Sequence, residues 1–250
     1  MKKSELKEIY ALIIGDEILS GKRQDKHLNY LTKKLKECGL SLKKAEFISD
    51  DLNQISEAIK DKENSILFCY GGIGATPDDC TREAAAIANN VQLKIHPEAE
   101  KSIKEKFGKD TYPKRILMAH LPENCTLLKN VVNNVPGFSI NDHHFMPGFP
   151  EMAWPMTDWI ILNFYNELSL NYPKQSDSSI WLDNVSESLL IDLMHQINNE
   201  YKNIKAYSLP RLKPKKTIEL GVKGDNSEVE EGMRTLKKYL KALGLKWRDT

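Results

Sequence analysis

Three apolar runs of strand length, at residues 8–14, 41–48 and 65–70, each end in a turn and give way to a segment with helical spacing. Leu28, Leu31 and Leu35 mark the first helix, which Gly39 stops, and Ile55 and Ile59 mark the second. This alternation of strand and helix argues for an α/β fold: a mostly parallel sheet with helices on both faces. Ligands of such sheets bind beyond the carboxyl ends of the strands. That edge carries three acidic pairs, Asp16-Glu17 after the first strand, Asp50-Asp51 after the second and Asp78-Asp79 after the third. Any one pair could cap a helix. Three pairs at three successive parallel strand ends should converge in space, as a metal or acid–base site requires.

The third strand, Ser65 to Tyr70, runs into Gly71-Gly72-Ile73-Gly74-Ala75-Thr76-Pro77-Asp78-Asp79-Cys80-Thr81-Arg82 and then into the helical Glu83 to Ala88. Glycines allow a sharp turn and a close approach of backbone to ligand. Free N–H groups at the start of the following helix suit phosphate. Carboxylates beside phosphate repel it unless a cation lies between, so Asp78 and Asp79 point to Mg²⁺ or a similar hard metal. A bare Gly-Gly-x-Gly is more often only a turn, and the spacing is neither the dinucleotide fingerprint nor a Walker loop. The complete run with Thr76, both aspartates and Thr81 is more specific.

The formal net charge of +1 gives no global field for nucleic acid or anionic membrane, and neither is expected as a partner. Cys38, Cys69, Cys80 and Cys125 are widely spaced without a CxxC, which favours free thiols over a zinc or disulfide framework. The N-terminal apolar run, Ile9 to Ile14, is too short for a signal peptide or a span, so a cytoplasmic protein is expected. Pro97 opens a helix expected over 97–119. Two Pro-Gly-Phe turns, at Pro136 and Pro147, flank one apparent strand, and Met152 to Phe164 reads as an apolar helix. His143 and His144 are adjacent on that strand, so they should face opposite sides and not share an ion. A polar linker is expected over 171–179. Beyond it, strands at 180–186, 205–209 and 216–223 and helices at 187–198 and 228–243 suggest a small α+β domain with a mainly antiparallel sheet. The expected domains are thus residues 1–170 and 175–250. His195 reads as a core or interface residue, and the apolar helix around Leu189 to Met194 offers a homodimer interface.

Three motifs occur in order: Gly15-Asp16-Glu17-Ile18-Leu19-x-Gly21, Gly71-Gly72-Ile73-Gly74-Ala75-Thr76-x-Asp78-Asp79-x-Thr81, and Pro147-Gly148-Phe149-Pro150-Glu151-Met152. Together they resemble the molybdopterin-binding-like (MoaB/MogA) domain of the CinA competence/damage-inducible family, over about residues 6–165. A similar domain occurs in some eukaryotic FAD synthases, and the region from about residue 175 resembles the small domain that follows in CinA proteins. The resemblance implies a three-layer α/β/α fold with a pocket for a pterin phosphate or a nucleotide diphosphate. It also implies metal-dependent pyrophosphatase activity toward ADP-ribose, or adenylylation of molybdopterin as in MogA, where carboxylates matching Asp50 and Asp79 are carried over. A stand-alone form without the nicotinamide-mononucleotide amidase domain of CinA is expected. The sequence departs from the family pattern at Tyr70, usually Thr, at Ala75, usually Pro, and at Asp25-Lys26-His27, usually Asp-x-Asn. These departures fall toward the pterin or nucleoside end of the pocket.

Two functions follow as expectations. In the first, a nucleotide diphosphate is hydrolysed with Mg²⁺, Mn²⁺ or Co²⁺. Gly71, Gly72, Gly74, Thr76, Thr81, Arg82 and Gly148 line the phosphate or ligand. Asp16, Asp78 and Asp79 hold metal, and Asp50 and Asp79 are catalytic, Asp50 as general base. In the second, a phosphorylated pterin is bound without turnover. A third, a scaffold without chemistry, leaves the adjacent Asp78 and Asp79 unexplained.

Overall fold

Strand β1 (Ile9–Ile14) is buried along its whole length except at Tyr10, because it lies between two parallel neighbours in the middle of a sheet covered on both faces. The computed structural model describes residues 7–165 and 175–249, and the chain divides into two units, Met1–Asn171 and Tyr172–Thr250. In the first unit the order along the chain is β1, a helical turn α1 (Asp16–Leu19), α2 (His27–Glu37), β2 (Leu42–Ile48), α3 (Leu52–Lys60), β3 (Ile66–Tyr70), α4 (Thr81–Ala88), β4 (Leu93–Ile95), α5 (Pro97–Phe107), β5 (His120–Pro122), β6 (Thr126–Leu128), β7 (Gly137–Ile140), β8 (His143–Met146) and α6 (Pro150–Phe164). The main sheet has the order β2-β1-β3-β8-β7-β6. The first four of these strands run parallel, and β7 and β6 close the edge antiparallel.

Parallel strands share a carboxyl edge, so Ile14, Ile48, Tyr70 and Met146 end side by side. The ladder continues one step into the loops: Gly15 N–H donates to Ile48 O (3.1 Å) and Gly71 N–H to Met146 O (3.0 Å). This register carries the loops after all four strands to one place.

Two expectations are corrected. The helix over 97–119 ends at Phe107, because Gly108 takes a left-handed φ of 52° and short 3₁₀ turns follow. The single strand between the Pro-Gly-Phe turns is a hairpin, β7 and β8, turned at Asn141 with φ 54°, a conformation Asn tolerates. His143 and His144 do face opposite ways. His143 Nε2 donates to Lys62 O (2.9 Å), whereas His144 pairs through Nδ1 with the Ser139 hydroxyl (2.7 Å) and through Nε2 with the Tyr165 hydroxyl (2.5 Å). All four cysteines are free.

The second unit runs β9 (Gln175–Asp183), α7 (Ile191–Glu200), β10 (Ile204–Arg211), β11 (Thr217–Asp225), α8 (Asn226–Ala242) and β12 (Arg248–Asp249). Its four-stranded sheet, β10-β11-β9-β12, is antiparallel throughout. Alternation puts Ile180, Leu182, Leu220 and Val222 on the face that packs against Leu193 and Ile197 of α7 and Leu236 and Leu240 of α8. Trp181 faces the other way, with Arg211 over its ring at 4.5 Å and Arg248 at 5.7 Å. His195 is exposed rather than in the core, since α7 turns Leu193 and Ile197 inward. Leu189 and Ile191 are exposed too. The linker expected over 171–179 lies partly outside the described residues, and from Gln175 onward the chain is already strand. No helix among the described residues is long and apolar enough to cross a membrane.

Burial pushes the His144 imidazole down to about 3. A histidine depressed in the folded state is neutral there and protonates only on unfolding. Its contribution is therefore fully present above the unfolded value near 6.5 and is lost as pH falls below it. Urea unfolding should show about 2 kcal/mol less stability at pH 5 than at pH 7 from this group, with His27 and His143 adding in the same direction. His144→Gln should shrink that difference, and an unchanged difference would remove His144 as its source.

Candidate functional site

Gly71 and Gly72 turn the chain out of β3 with φ of 107° and 68°, conformations that other residues rarely adopt. Space demands glycine as well: a Cβ on Gly71 would lie 2.3 Å from Ile14 O, and one on Gly72 would lie 2.1 Å from Thr81 Oγ1. The loop then folds over Asp79, whose Oδ2 accepts from Thr76 N–H (2.8 Å) and from the Thr76 hydroxyl. The amides of Gly72, Ile73, Gly74 and Ala75 make no hydrogen bond to a described residue. They border a cavity of about 430 Å³, also lined by Asp50, Asp78 and Asp79. Successive free N–H groups at a cavity wall form an anion-binding concavity. Apolar residues line the same cavity, among them Phe107, Met118, Val135 and Met152.

Each acidic pair divides its labour. Asp51 caps α3, accepting from Gln54 N–H (2.9 Å), while Asp50 turns to the cavity. Asp16 N–H donates to Asp50 Oδ2 (2.9 Å) and Asp50 N–H approaches Asp16 Oδ1 at 3.4 Å, which ties the ends of β1 and β2 together. Burial raises the Asp50 carboxyl above its ordinary value, against the Asp16 N–H bond that favours the charged form. The negative charges of Asp16, Glu17 and Asp78 add to the rise. Asp50 and Asp78 line the larger cavity, whereas Asp16, though bonded to Asp50, is exposed and lines neither cavity. Among the described residues, no three His, Cys, Asp or Glu side chains are grouped so as to hold a metal ion by themselves.

Thr81 and Arg82, expected at the phosphate, are elsewhere. Thr81 is fully buried beneath Gly72, and its own N–H donates to Gly72 O (3.0 Å). Arg82 points away from the cavity and is 8% exposed. Its guanidinium donates to Gly74 O (2.8 Å), to His120 O (3.1 Å) and to Leu117 O. A buried cation spent on three carbonyls braces the loop from behind and has little left to offer a ligand.

A second cavity, of about 240 Å³, adjoins the first, and Ile14, Glu17, Arg23, Gly148 and Phe149 border both. Gly148 thus lies where the two cavities adjoin. In the second cavity Tyr70 and His27, two of the departures from the family pattern, meet face to face with ring centroids 4.5 Å apart. Tyr70 OH pairs with Thr157 (3.0 Å), and His27 Nε2 lies 3.2 Å from Gly148 O. The carbonyl can only accept, so Nε2 carries the hydrogen. Nδ1 is then a bare, buried acceptor without a partner. Asp25 caps α2 through His27 N–H (2.9 Å) and Leu28 N–H (3.1 Å). Sequence reasoning missed Arg23, Glu17 as a cavity residue and the apolar wall. Arg23 lay in an unremarkable Lys-Arg pair, and the wall residues come from segments far apart in the chain.

The family profile described as "Probable molybdopterin binding domain" matches residues 10–167, well over half of the chain. The chain belongs to that family. A protein of Saccharolobus islandicus is 28% identical over 244 residues, covering 91% of this chain and 90% of its own length. A CinA-like protein of Kosmotoga olearia is 27% identical over 233 residues, covering 88% of this chain but 55% of its own length, so the chain spans about half of that relative. A crystal structure of CinA from Thermoplasma acidophilum, described as of unknown function, aligns with a TM-score of 0.58 at 27% identity, covering 63% of this chain and 98% of its own. The molybdopterin-binding family domain thus holds the glycine loop, the three strand-end carboxylates and both cavities.

Two outcomes test this geometry. Gly72→Ala should cost roughly 2 kcal/mol or more in denaturant unfolding, from the left-handed φ and the overlap with Thr81. Asp78→Asn should lower the Asp50 titration midpoint, read by carboxyl carbon NMR; an unmoved midpoint would mean that the two carboxylates do not sense each other.

Proposed function

We propose that the first unit binds a phosphorylated heterocycle and that its reaction is metal-dependent hydrolysis of a nucleotide phosphoanhydride of the ADP-ribose type. The observation that carries this reading is the run of four unpartnered amides, Gly72 to Ala75, on a cavity that also receives Asp50 and Asp78. The amides suit phosphate oxygens. The apolar lining suits the face of a base or pterin.

A hard divalent ion, Mg²⁺, Mn²⁺ or Co²⁺, fits the donor set, which is made of carboxylate oxygens. Asp78 and Asp79, which line the cavity, are the residues that would hold it, with phosphate oxygens and water completing the shell, as is usual for Mg²⁺. When bound, such an ion neutralises phosphate charge and polarises a phosphoryl oxygen. The remaining work falls to the chain. The glycine-loop amides orient the phosphate. Thr76 and Asp79 keep the loop in shape through their mutual hydrogen bonds. Asp50, whose proton affinity is raised, is the carboxylate best suited to accept a proton from water. Binding of a phosphorylated pterin such as molybdopterin, without turnover, is the second reading, favoured by membership of a molybdopterin-binding family.

The test is AMP release from ADP-ribose, FAD and NAD in the presence of each metal. Asp50→Asn is the control, because Asp79 also shapes the loop. The expected result is metal-dependent AMP release from at least one substrate that falls at least about a hundredfold in Asp50→Asn. Absence of release from every substrate would overturn the hydrolase reading in favour of pterin binding.

A further inference from the structure

The site described so far belongs to the first unit. In the second unit, strand, helix, two strands, helix and strand follow one another, and both helices pack on the sheet face that carries Ile180, Leu182, Leu220 and Val222. Alternation turns Trp181 of β9, Tyr207 and Arg211 of β10 and Glu219 and Lys223 of β11 to the other face. Two aromatic rings lie there over the two central strands. Trp181 belongs to β9. Tyr207 starts from the edge strand β10 and crosses β11 at Gly221, where a Cβ would lie 2.6 Å from its ring, and its hydroxyl donates to Asp177 of β9 (2.5 Å). Glycine at 221 is what lets the ring lie flat on the sheet.

Cations stand over both rings. Arg211 lies 4.5 Å and Arg248 5.7 Å from the centre of Trp181, and Lys223 lies 5.8 Å from that of Tyr207. Their ion pairs are loose: Arg211 is 3.6 Å from Glu219 and Arg248 is 3.5 Å from Asp183, with both arginines well exposed. Lys205 faces the same way from β10, and the loop between β10 and β11 adds Lys213, Lys215 and Lys216, all exposed. Against these stand Asp177, Asp183 and Glu219, while Asp225 at the strand end caps α8. The face and its loop therefore carry a surplus of positive charge although the whole chain is close to neutral.

We propose that this face of the second unit binds single-stranded RNA, with bases stacked over Trp181 and Tyr207 and phosphates held by Arg211, Arg248 and the lysines of the 211–216 loop. Aromatic rings on the central strands of a four-stranded sheet are a stacking platform for unpaired bases. A base stacks on a guanidinium plane as it does on a ring, so Arg211 extends the platform over Trp181. A duplex keeps its bases inside and has nothing to lay on such a face, which selects a single strand. The carboxylates among the cations select RNA: Asp183 and Glu219 repel phosphate but accept from 2′-hydroxyls, which DNA lacks.

Fluorescence anisotropy of the whole chain with a fluorescein-labelled single-stranded RNA of about ten nucleotides tests this, beside the same sequence as DNA and as an RNA duplex. Single-stranded RNA should bind saturably and at least several-fold more tightly than either comparison. Its affinity should fall about tenfold between about 50 and about 200 mM KCl, the loss expected when two or three phosphates are neutralised. Trp181→Ala should weaken RNA binding by about tenfold, the size of one lost stack, and Trp181→Phe should restore most of it. Lys213→Ser combined with Lys215→Ser should flatten the salt dependence. Circular dichroism checks the fold of each variant, and the exposed loop variant decides the matter if Trp181→Ala does not fold. RNA binding unchanged in the Trp181 and loop variants, or duplex or DNA bound as tightly as single-stranded RNA, would overturn the proposal. Absence of binding to all three would overturn it as well and point to an acidic protein as the occupant of this face.

Discussion

The close approach of Gly71 to the carbonyl of Ile14 is the contact on which the site depends. β1 and β3 are hydrogen-bonded neighbours, and their ends converge until no side chain fits between them. The chain leaves β3 in a left-handed conformation, passes under Gly148 and presents its amides outward. Had the strands ended at different heights, the carboxylates at 17, 50 and 78 would not share a cavity. The extension of the ladder through Gly15 and Gly71 holds that register.

Around this contact the loop is held from two sides. Asp79 grips it at Thr76, and Arg82 grips it at Gly74 while reaching the backbone at Leu117 and His120. The second grip links the glycine loop to the segment that carries Met118, another residue of the cavity lining. A preformed loop loses little entropy on binding, which is where such bracing has its effect. The carboxylates behave differently. Burial raises the Asp50 carboxyl, and the charges of Asp16, Glu17 and Asp78 add to the rise.

The parallel core, the glycine turn and the convergence of acidic pairs were legible because each rests on local pattern: buried runs, helical spacing and glycines in fixed order. The antiparallel second unit was legible for the same reason. Where expectations failed, a local signal had two readings. The 97–119 segment keeps helical composition past Gly108, where one φ angle ends it. Thr81 and Arg82 follow the glycines at a spacing suited to phosphate, yet the helix turns both into the protein, where Thr81 is packed under Gly72.

By itself the sequence determined the alternation of the first three strands and helices, the family and the acidic pairs at the strand ends, because strand and helix periodicity and short motifs are properties of neighbouring residues. Only the tertiary structure decided that Asp50 and not Asp51 lines the cavity, that Arg82 is buried while Arg23 borders the cavity, and that His27 and Tyr70 stack in a second cavity. Those outcomes depend on which way a side chain turns once distant strands are packed. Burial of Arg82 against three carbonyls and exposure of Arg23 are set by neighbours tens of residues away, which no local spacing encodes.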